Sequence, residues 1–249
     1  VITAAELTIK YQAGAFPGSP VGVACMAALA CYSVENVAIT GYDVVSNRPK
    51  VAAYRAPGAP MVAFAVESCL DELAMQLGID PIDLRIRNAV KPGTKAVYGA
   101  TFREIALIET LQAIKAHPHY TAPLGPNQGR GVACGFWFNV GGQTCADLNV
   151  TPDGTVTLAV GTIDVGGSRA SIGLMAAEEL GIPYENVRVV VADTSSLGHN
   201  DMTDGSRGTF STGLATIAAA RNAIKVLCAR AAKMWDIPED AVILSLIHI

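Results

Sequence analysis

The sequence predicts an α+β fold in two mixed helix-and-strand halves, and three observations carry that expectation. An apolar stripe at helical spacing runs along residues 61–77, with Val62, Val66, Cys69, Leu70, Leu73 and Leu77 on one face. Two alternating segments, ADLNVTP and TVTLAVG, flank an Asp153–Gly154 turn and read as a hairpin. Between the stripe and the hairpin, the segment HPHYTAPLGPNQGR is rich in turn formers and has no apolar periodicity. A first subdomain is therefore expected at 1–116, a linker at 117–130 and a second subdomain at 131–243.

Each element has its own signals. Pro60 and Gly78 bound the first helix, expected from Met61 to about Leu77. Asp80–Pro81 announces a short helix, with the acid as N-cap and the proline at the first helical position. Thr101 and Glu104 have capping-box spacing and predict a third helix that stops before Pro118. After the hairpin come a glycine-rich loop, a helix near Arg169–Leu180 and the apolar strand VRVVVAD. An alanine-rich helix from about Ser211 to Trp235 follows. A short echo recurs in AMQLGIDPIDLRI, AEELGIPYENVRV and AKMWDIPEDAVIL. It suggests a helix–turn–extended unit used three times, while its irregular spacing argues against a solenoid.

Composition narrows the function. Half of the chain is hydrophobic and 16% is charged, the balance of a globular protein. A net charge of −4 gives no electrostatic case for nucleic acid or an anionic membrane. The longest apolar run, Val21–Tyr32, is shorter than the ~20 residues a membrane span needs. No secretory signal pattern is visible, so a cytoplasmic location is expected; the periplasm stays open because the chain starts at Val1. Six scattered cysteines contain no CxxC, which argues against an iron–sulfur cluster on this chain. The last six residues, Leu244–Ile249 with His248, spell the translation of a common sequencing adapter. They are expected to be read-through, and the chain an internal fragment of a longer protein.

Three polar turns could carry chemistry. AYRAPGAP holds Arg55 with Glu67 as the nearest downstream acid. GTIDVGGSRAS, Gly161–Ser171, sits between a strand and a helix, where glycines and free N–H groups suit an anion. Its spacing imitates a nucleotide P-loop, but Gly167 stands where the phosphate-binding lysine would be, which excludes nucleotide hydrolysis. ADTSSLGHNDMTDGSRGTFSTG, Ala192–Gly213, is too long for an ordinary connection and reads as a binding loop. Within it Arg207 could pair with a phosphate, whereas His199 reads as solvent-facing or structural. Glu67, Asp71 and Glu72 lie on a well-formed helix and read as solvated or structural.

In combination and order, these motifs resemble the molybdopterin-binding subunit of the xanthine dehydrogenase and aldehyde oxidase family. AYRAPGAP with LGIDPIDLRIRN, GTIDVGGSRAS with AAEELGIPYENVRVV, and TDGSRGTFSTG before an alanine-rich helix carry the likeness, which covers Val1 to about Ile243. The resemblance implies two subdomains of the molybdenum-cofactor-binding type within a larger architecture. It implies a molybdenum–molybdopterin cofactor, with the cytosine dinucleotide form as one option. Arg55 and Gly205 would be its metal-proximal residues. Gly166, Gly167, Ser168, Thr203, Asp204, Ser206 and Arg207 would hold the rest. In G-x-x-[DE]-x-G-Q-G the glutamine is replaced by Gly167 and the last glycine by Ser168, so one bond is lost or supplied by Ser168 or Arg169. Pro57 stands where purine-oxidising members carry phenylalanine, which disfavours a purine. Pro57 and Phe138 are the substrate-side candidates, the latter within GFWFNVGGQ, where relatives line the substrate funnel. The general-base glutamate would lie beyond this chain, so no residue here is assigned as catalytic. The implied reaction hydroxylates a C–H bond of an aldehyde or N-heterocycle with oxygen from water. Iron–sulfur and flavin partners would take the electrons in a hetero-oligomer. Carbon monoxide oxidation, aryl-thioester reduction and a non-catalytic anion-binding or assembly role are the alternatives.

Overall fold

The computed structural model of the protein describes residues 1–51, 53–191 and 193–244. Ser245–Ile249, most of the adapter-like segment, lies outside the described residues. The chain divides into two compact units, Val1–Trp137 and Phe138–Ile249. The first unit thus runs past the proline- and glycine-rich segment and keeps 131–137 for itself.

In the first unit, strand β1 (Ala4–Gly14) pairs in parallel with β2 (Asn36–Val45), a pairing that no local sequence signal announced. A parallel pair needs a crossover, and helix α1 (Val21–Ala27) supplies it from the apolar run. Helix α2 (Ala59–Leu77) buries Val62, Val66 and Leu70 of the expected stripe against β1, α1 and helix α3 (Pro81–Asn88), with Leu73 partly buried, whereas Cys69 and Leu77 are exposed. Asp80 caps α3 as expected, its Oδ1 accepting from the N–H groups of Ile82 at 2.9 Å and Asp83 at 3.1 Å. The third helix differs from expectation. It is α4 (Leu107–Ala116), and its N-cap, Ala106, makes no side-chain cap bond. Thr101 bridges Lys95, and the Phe102 N–H donates to the Thr94 carbonyl. Strand-like pairing therefore holds the backbone that a capping box at Thr101 would need. Helix α5 (Pro118–Thr121) is a single turn within the expected linker.

A buried ionic knot ties this unit together. Arg85 is 0% and Glu67 5% exposed. The Glu67 carboxylate accepts from Tyr32 Oη at 2.5 Å, Arg85 Nε at 2.8 Å and the Cys134 N–H at 2.8 Å. Arg85 also donates to the Pro81 carbonyl and pairs with Asp71 at 2.8 Å. Burial, then the bond to Glu67, pushes the Tyr32 phenol upward. Burial is also the main reason the neighbouring Cys31 thiol is pushed up to about 12, so it stays a thiol, as a small buried hydrophobe should.

In the second unit, strands β3 (Ala146–Val150) and β4 (Val156–Val160) form the expected hairpin, and β5 (Val187–Val191) joins β4 in parallel. At the hairpin turn Asp153 accepts from Thr151 Oγ1 and the Thr155 N–H, which holds its carboxyl down to about 2. Helix α6 (Ser168–Leu180) makes the β4–β5 crossover and packs with α7 (Arg207–Trp235) around Val156, Leu158, Val160, Ile172 and Ala220. Gly213 permits that approach, since a Cβ there would lie 2.6 Å from Met175 Sδ.

The threefold echo is a helix-ending device. At Gly78, Gly181 and Asp236 the chain turns left-handed, with φ of 61°, 70° and 52°. The isoleucine that follows then donates its N–H five residues back, Ile79 to Ala74, Ile182 to Ala177 and Ile237 to Ala232. This is the Schellman cap. What comes next is set locally: Asp80 and Pro81 begin another helix, so the first copy is not followed by an extended run. Asp236 takes a conformation that glycine adopts more cheaply. Asp236→Gly should therefore stabilise α7's end by up to about 1 kcal/mol, the left-handed cost of a side chain less glycine's extra chain entropy, read as a higher urea midpoint; an unchanged or lower midpoint refutes this account of the cap.

Candidate functional site

In the first unit, residues 53–58 make a strained turn. Arg55 and Ala56 have φ of 22° and 53° and precede Gly58 at 83°. Consecutive non-glycine residues in this region cost free energy, and such strain gathers at functional sites. The turn is pinned from beneath by Tyr11, whose hydroxyl donates to the Gly58 carbonyl at 2.8 Å. The glycine is required, because a Cβ there would lie 2.5 Å from the carbonyl oxygen of Pro20, the residue just before α1. Pro57 is half-buried and Arg55 exposed, and no ion pair engages Arg55 among the described residues.

The second unit brings both of its expected loops together. Thr162 Oγ1 and Thr203 Oγ1 share a hydrogen bond of 3.0 Å, which places the start of the Gly161–Ser168 loop beside the 203–207 loop. Each loop delivers a left-handed pair to a helix start. Gly166 and Gly167 (φ 65° and 82°) lead into α6, and Gly205 and Ser206 (φ 50° and 61°) lead into α7. A left-handed residue followed by a right-handed one points successive N–H groups into a common concavity that suits anions. The N–H groups of Gly166, Gly167, Gly205 and Ser206 have no acceptor among the described residues. The partial positive charge of each helix start adds to them.

The loop side chains divide the remaining work. Ser168 is buried and turned inward, its hydroxyl accepting from the Val165 N–H at 3.3 Å. It is therefore not the substitute for the missing glutamine. Arg169 is exposed on the loop's outer side and pairs loosely with Asp164 at 3.6 Å. Asp164 also accepts from the Arg169 N–H at 3.1 Å, so one donor at the start of α6 is already used. Asp204 is exposed at the loop tip, and its carbonyl accepts from the Arg207 N–H. His199 is exposed beside Asp201 at 3.0 Å, as expected.

Arg207 departs from expectation. It is 2% exposed, and its guanidinium donates to the carbonyls of Gly141 and Gln143 at 2.5 Å each, Asp201 at 2.8 Å and Met202 at 3.3 Å. Four carbonyls leave no outward fork for a phosphate. The residue is a peg that holds the loop, and the anion-facing groups are the backbone amides before it.

That peg exposes a third segment, Asn139–Gln143, which sequence reasoning noted in GFWFNVGGQ without resolving its role. Asn139 Nδ2 donates to the Ser206 carbonyl at 2.7 Å, and the Val140 N–H donates to the Gly205 carbonyl at 3.0 Å. The Gln143 N–H donates to Asp201 Oδ2 at 2.6 Å. A Cβ on Gly205 would overlap Val140 Cγ2, so only glycine fits under that side chain. The glycines Gly141 and Gly142 (φ 72° and 86°) were the available signal. The aromatics of the same stretch part company: Phe136 packs on Tyr98 and Phe102 in the first unit's core, while Phe138, half-buried, opens the second unit.

Comparison with known proteins identifies the family and the fold. The molybdopterin cofactor-binding domain model matches residues 1–89 and a second such model matches 115–246. The chain is 34% identical over 191 residues to the putative xanthine dehydrogenase molybdenum-binding subunit of Escherichia coli K12, covering 70% of this chain and 24% of that one. The aldehyde oxidoreductase structure from Desulfovibrio desulfuricans superposes with a TM-score of 0.75 at 29% identity, over 89% of this chain and 26% of that chain. Quinoline 2-oxidoreductase from Pseudomonas putida 86 shares the fold at a TM-score of 0.82 and 22% identity, over 98% of this chain and 35% of that one. The chain spans about a quarter of the length of the curated relatives it matches. No helix among the described residues is long and apolar enough to cross a membrane.

Proposed function

The chain belongs to the molybdopterin cofactor-binding domain family, and from that premise we propose that it is the cofactor-holding portion of a molybdenum hydroxylase. The reaction is hydroxylation of a C–H bond in an aldehyde or N-heterocycle with oxygen from water. The observation that carries this reading is the pair of adjoining loops whose N–H groups, without acceptors among the described residues, stand at two helix starts.

The residues fit an oxyanion-rich group. Gly166, Gly167, Gly205 and Ser206 would bind it through backbone amides, with Thr203 beside them and Ser168 shaping the loop from within. Arg55 would supply the positive charge, on a strained turn that presents it outward. Asp204 lies at the rim, and Arg207 fixes the loop rather than the group. When bound, the group supplies two-electron oxidation of the carbon. This chain's part is to orient and desolvate. Glu67 takes no proton-transfer role, because three donors and a buried ion pair already engage it. Pro57 replaces an aromatic stacking surface with a ring that cannot stack, which favours substrates other than purines. Electrons would leave through iron–sulfur and flavin partners in a hetero-oligomer, and the pterin could carry a cytosine dinucleotide.

Metal and pterin analysis of the complete protein tests the reading; a well-folded preparation with neither overturns it in favour of an anion-binding or assembly role. In that protein Arg55→Gln should remove a charge-assisted contact of about 1.5–3 kcal/mol. This corresponds to roughly 10–100-fold weaker cofactor retention, measured as molybdenum per chain after dialysis. Full retention would remove Arg55 from the site.

A further inference from the structure

The first unit holds a cavity of about 490 Å³ that none of the segments above uses. It lies between the end of α4, the single turn α5 and residues 130–132. Its wall is apolar at Ala113, Ile114 and Val132; its polar side chains are Arg130, His117 and His119, together with Thr110 and Tyr120, whose hydroxyls already donate to the Ala106 carbonyl and to Asp80. Two of the chain's four histidines therefore line one cavity.

The polar groups are arranged as donors. Arg130 donates to the carbonyls of Tyr120 at 2.5 Å and Ala122 at 2.8 Å. Those carbonyls anchor the guanidinium but bring no countercharge, and no carboxylate pairs with it among the described residues. Its Nε is enclosed without an acceptor among the described residues. His117 Nδ1 accepts from the His119 N–H at 3.2 Å. That bond places the proton of the neutral ring on Nε2, so the ring offers a donor whether or not it is charged. None of the lining residues is acidic. Two carboxylates bonded to neighbouring side chains are already engaged: Asp80 accepts from the Tyr120 hydroxyl at 2.9 Å and caps α3, and Asp83 pairs with Lys115.

We propose that this cavity binds a small amphipathic carboxylate. Its head meets Arg130 and the two imidazoles, and its hydrocarbon body lies along Ala113, Ile114 and Val132. A guanidinium matches a carboxylate in shape as well as charge, and an apolar cleft with a few convergent polar groups is the usual form of a small-molecule site. The site is separate from the proposed cofactor loops and does not depend on them.

Calorimetric titration of the complete protein with hexanoate tests the proposal, with hexylammonium and inorganic phosphate as comparison probes. Hexanoate should bind saturably with a Kd of about 1 mM or tighter, and hexylammonium should not bind. Arg130→Gln should weaken hexanoate at least about tenfold, as loss of a charged hydrogen bond does. Arg130 also holds two carbonyls, so that variant could lose its fold. Ala113→Trp fills the cavity from an exposed helix position, and should abolish binding while leaving the melting temperature unchanged. Absence of hexanoate binding, phosphate binding as tight as hexanoate, or hexanoate binding undiminished by Ala113→Trp would each overturn the assignment.

Discussion

Glu67→Ala lowers the stability of the first unit by about 3–5 kcal/mol, the cost of leaving one member of a buried ion pair uncompensated. Arg85 would keep its charge at 0% exposure with only the half-exposed Asp71 beside it. Tyr32 Oη and the Cys134 N–H would lose their acceptor at the same time. Against a total of about 5–15 kcal/mol for a typical domain, that is a substantial share, and urea denaturation of the complete protein would show it as an early transition. A second comparison separates the ion pair from simple packing. Replacing Glu67 and Arg85 together by Met and Leu should cost less than Glu67→Ala alone, because no charge is then stranded. A loss under about 1 kcal/mol for Glu67→Ala would mean that water reaches Arg85 and the knot is not sealed.

Gly205→Ala should cost the complete protein most of its molybdenum. The new Cβ meets Val140 Cγ2 at once, and the backbone there has φ 50°, which a side chain tolerates poorly. The loop must then move, and with it the adjacent N–H groups of Gly205 and Ser206. A shift that removes even one charge-assisted amide contact costs about 1.5–3 kcal/mol, or at least about tenfold in retained metal. The Gly205→Ala/Val140→Ala double variant isolates the steric part. It should recover part of the metal content but not all, since the left-handed strain remains. If Gly205→Ala keeps full metal content, the loop is not where the cofactor rests.

Much of the candidate loops' backbone was legible because it is written in glycine. Gly166, Gly167 and Gly205 stand where the backbone must turn left-handed, and that requirement shows in a bare sequence. The helix ends were legible for the same reason, and the threefold echo resolved into three caps. Arg207 was misread. A lone arginine in a polar loop reads as an anion ligand, and the carbonyls it holds at Gly141 and Gln143 lie 66 and 64 residues away. Asn139–Gln143 stayed without a role for the same reason, because its partners are on the other side of the unit's sheet and helix in sequence.

By itself, the sequence determined what depends on neighbours in the chain: the stripe of α2, the caps at Gly78, Gly181 and Asp80, the β3–β4 hairpin, and the glycine turns that mark the loops. Local dihedral preference and side-chain period suffice for these, because both act over a few residues. Only the tertiary structure decided that β1 pairs with β2, that Glu67 is sealed against Arg85, and that Val140 closes over Gly205. Parallel pairing, burial of charge and close backbone approach are settled by groups brought together from far along the chain, and no window of sequence contains both partners.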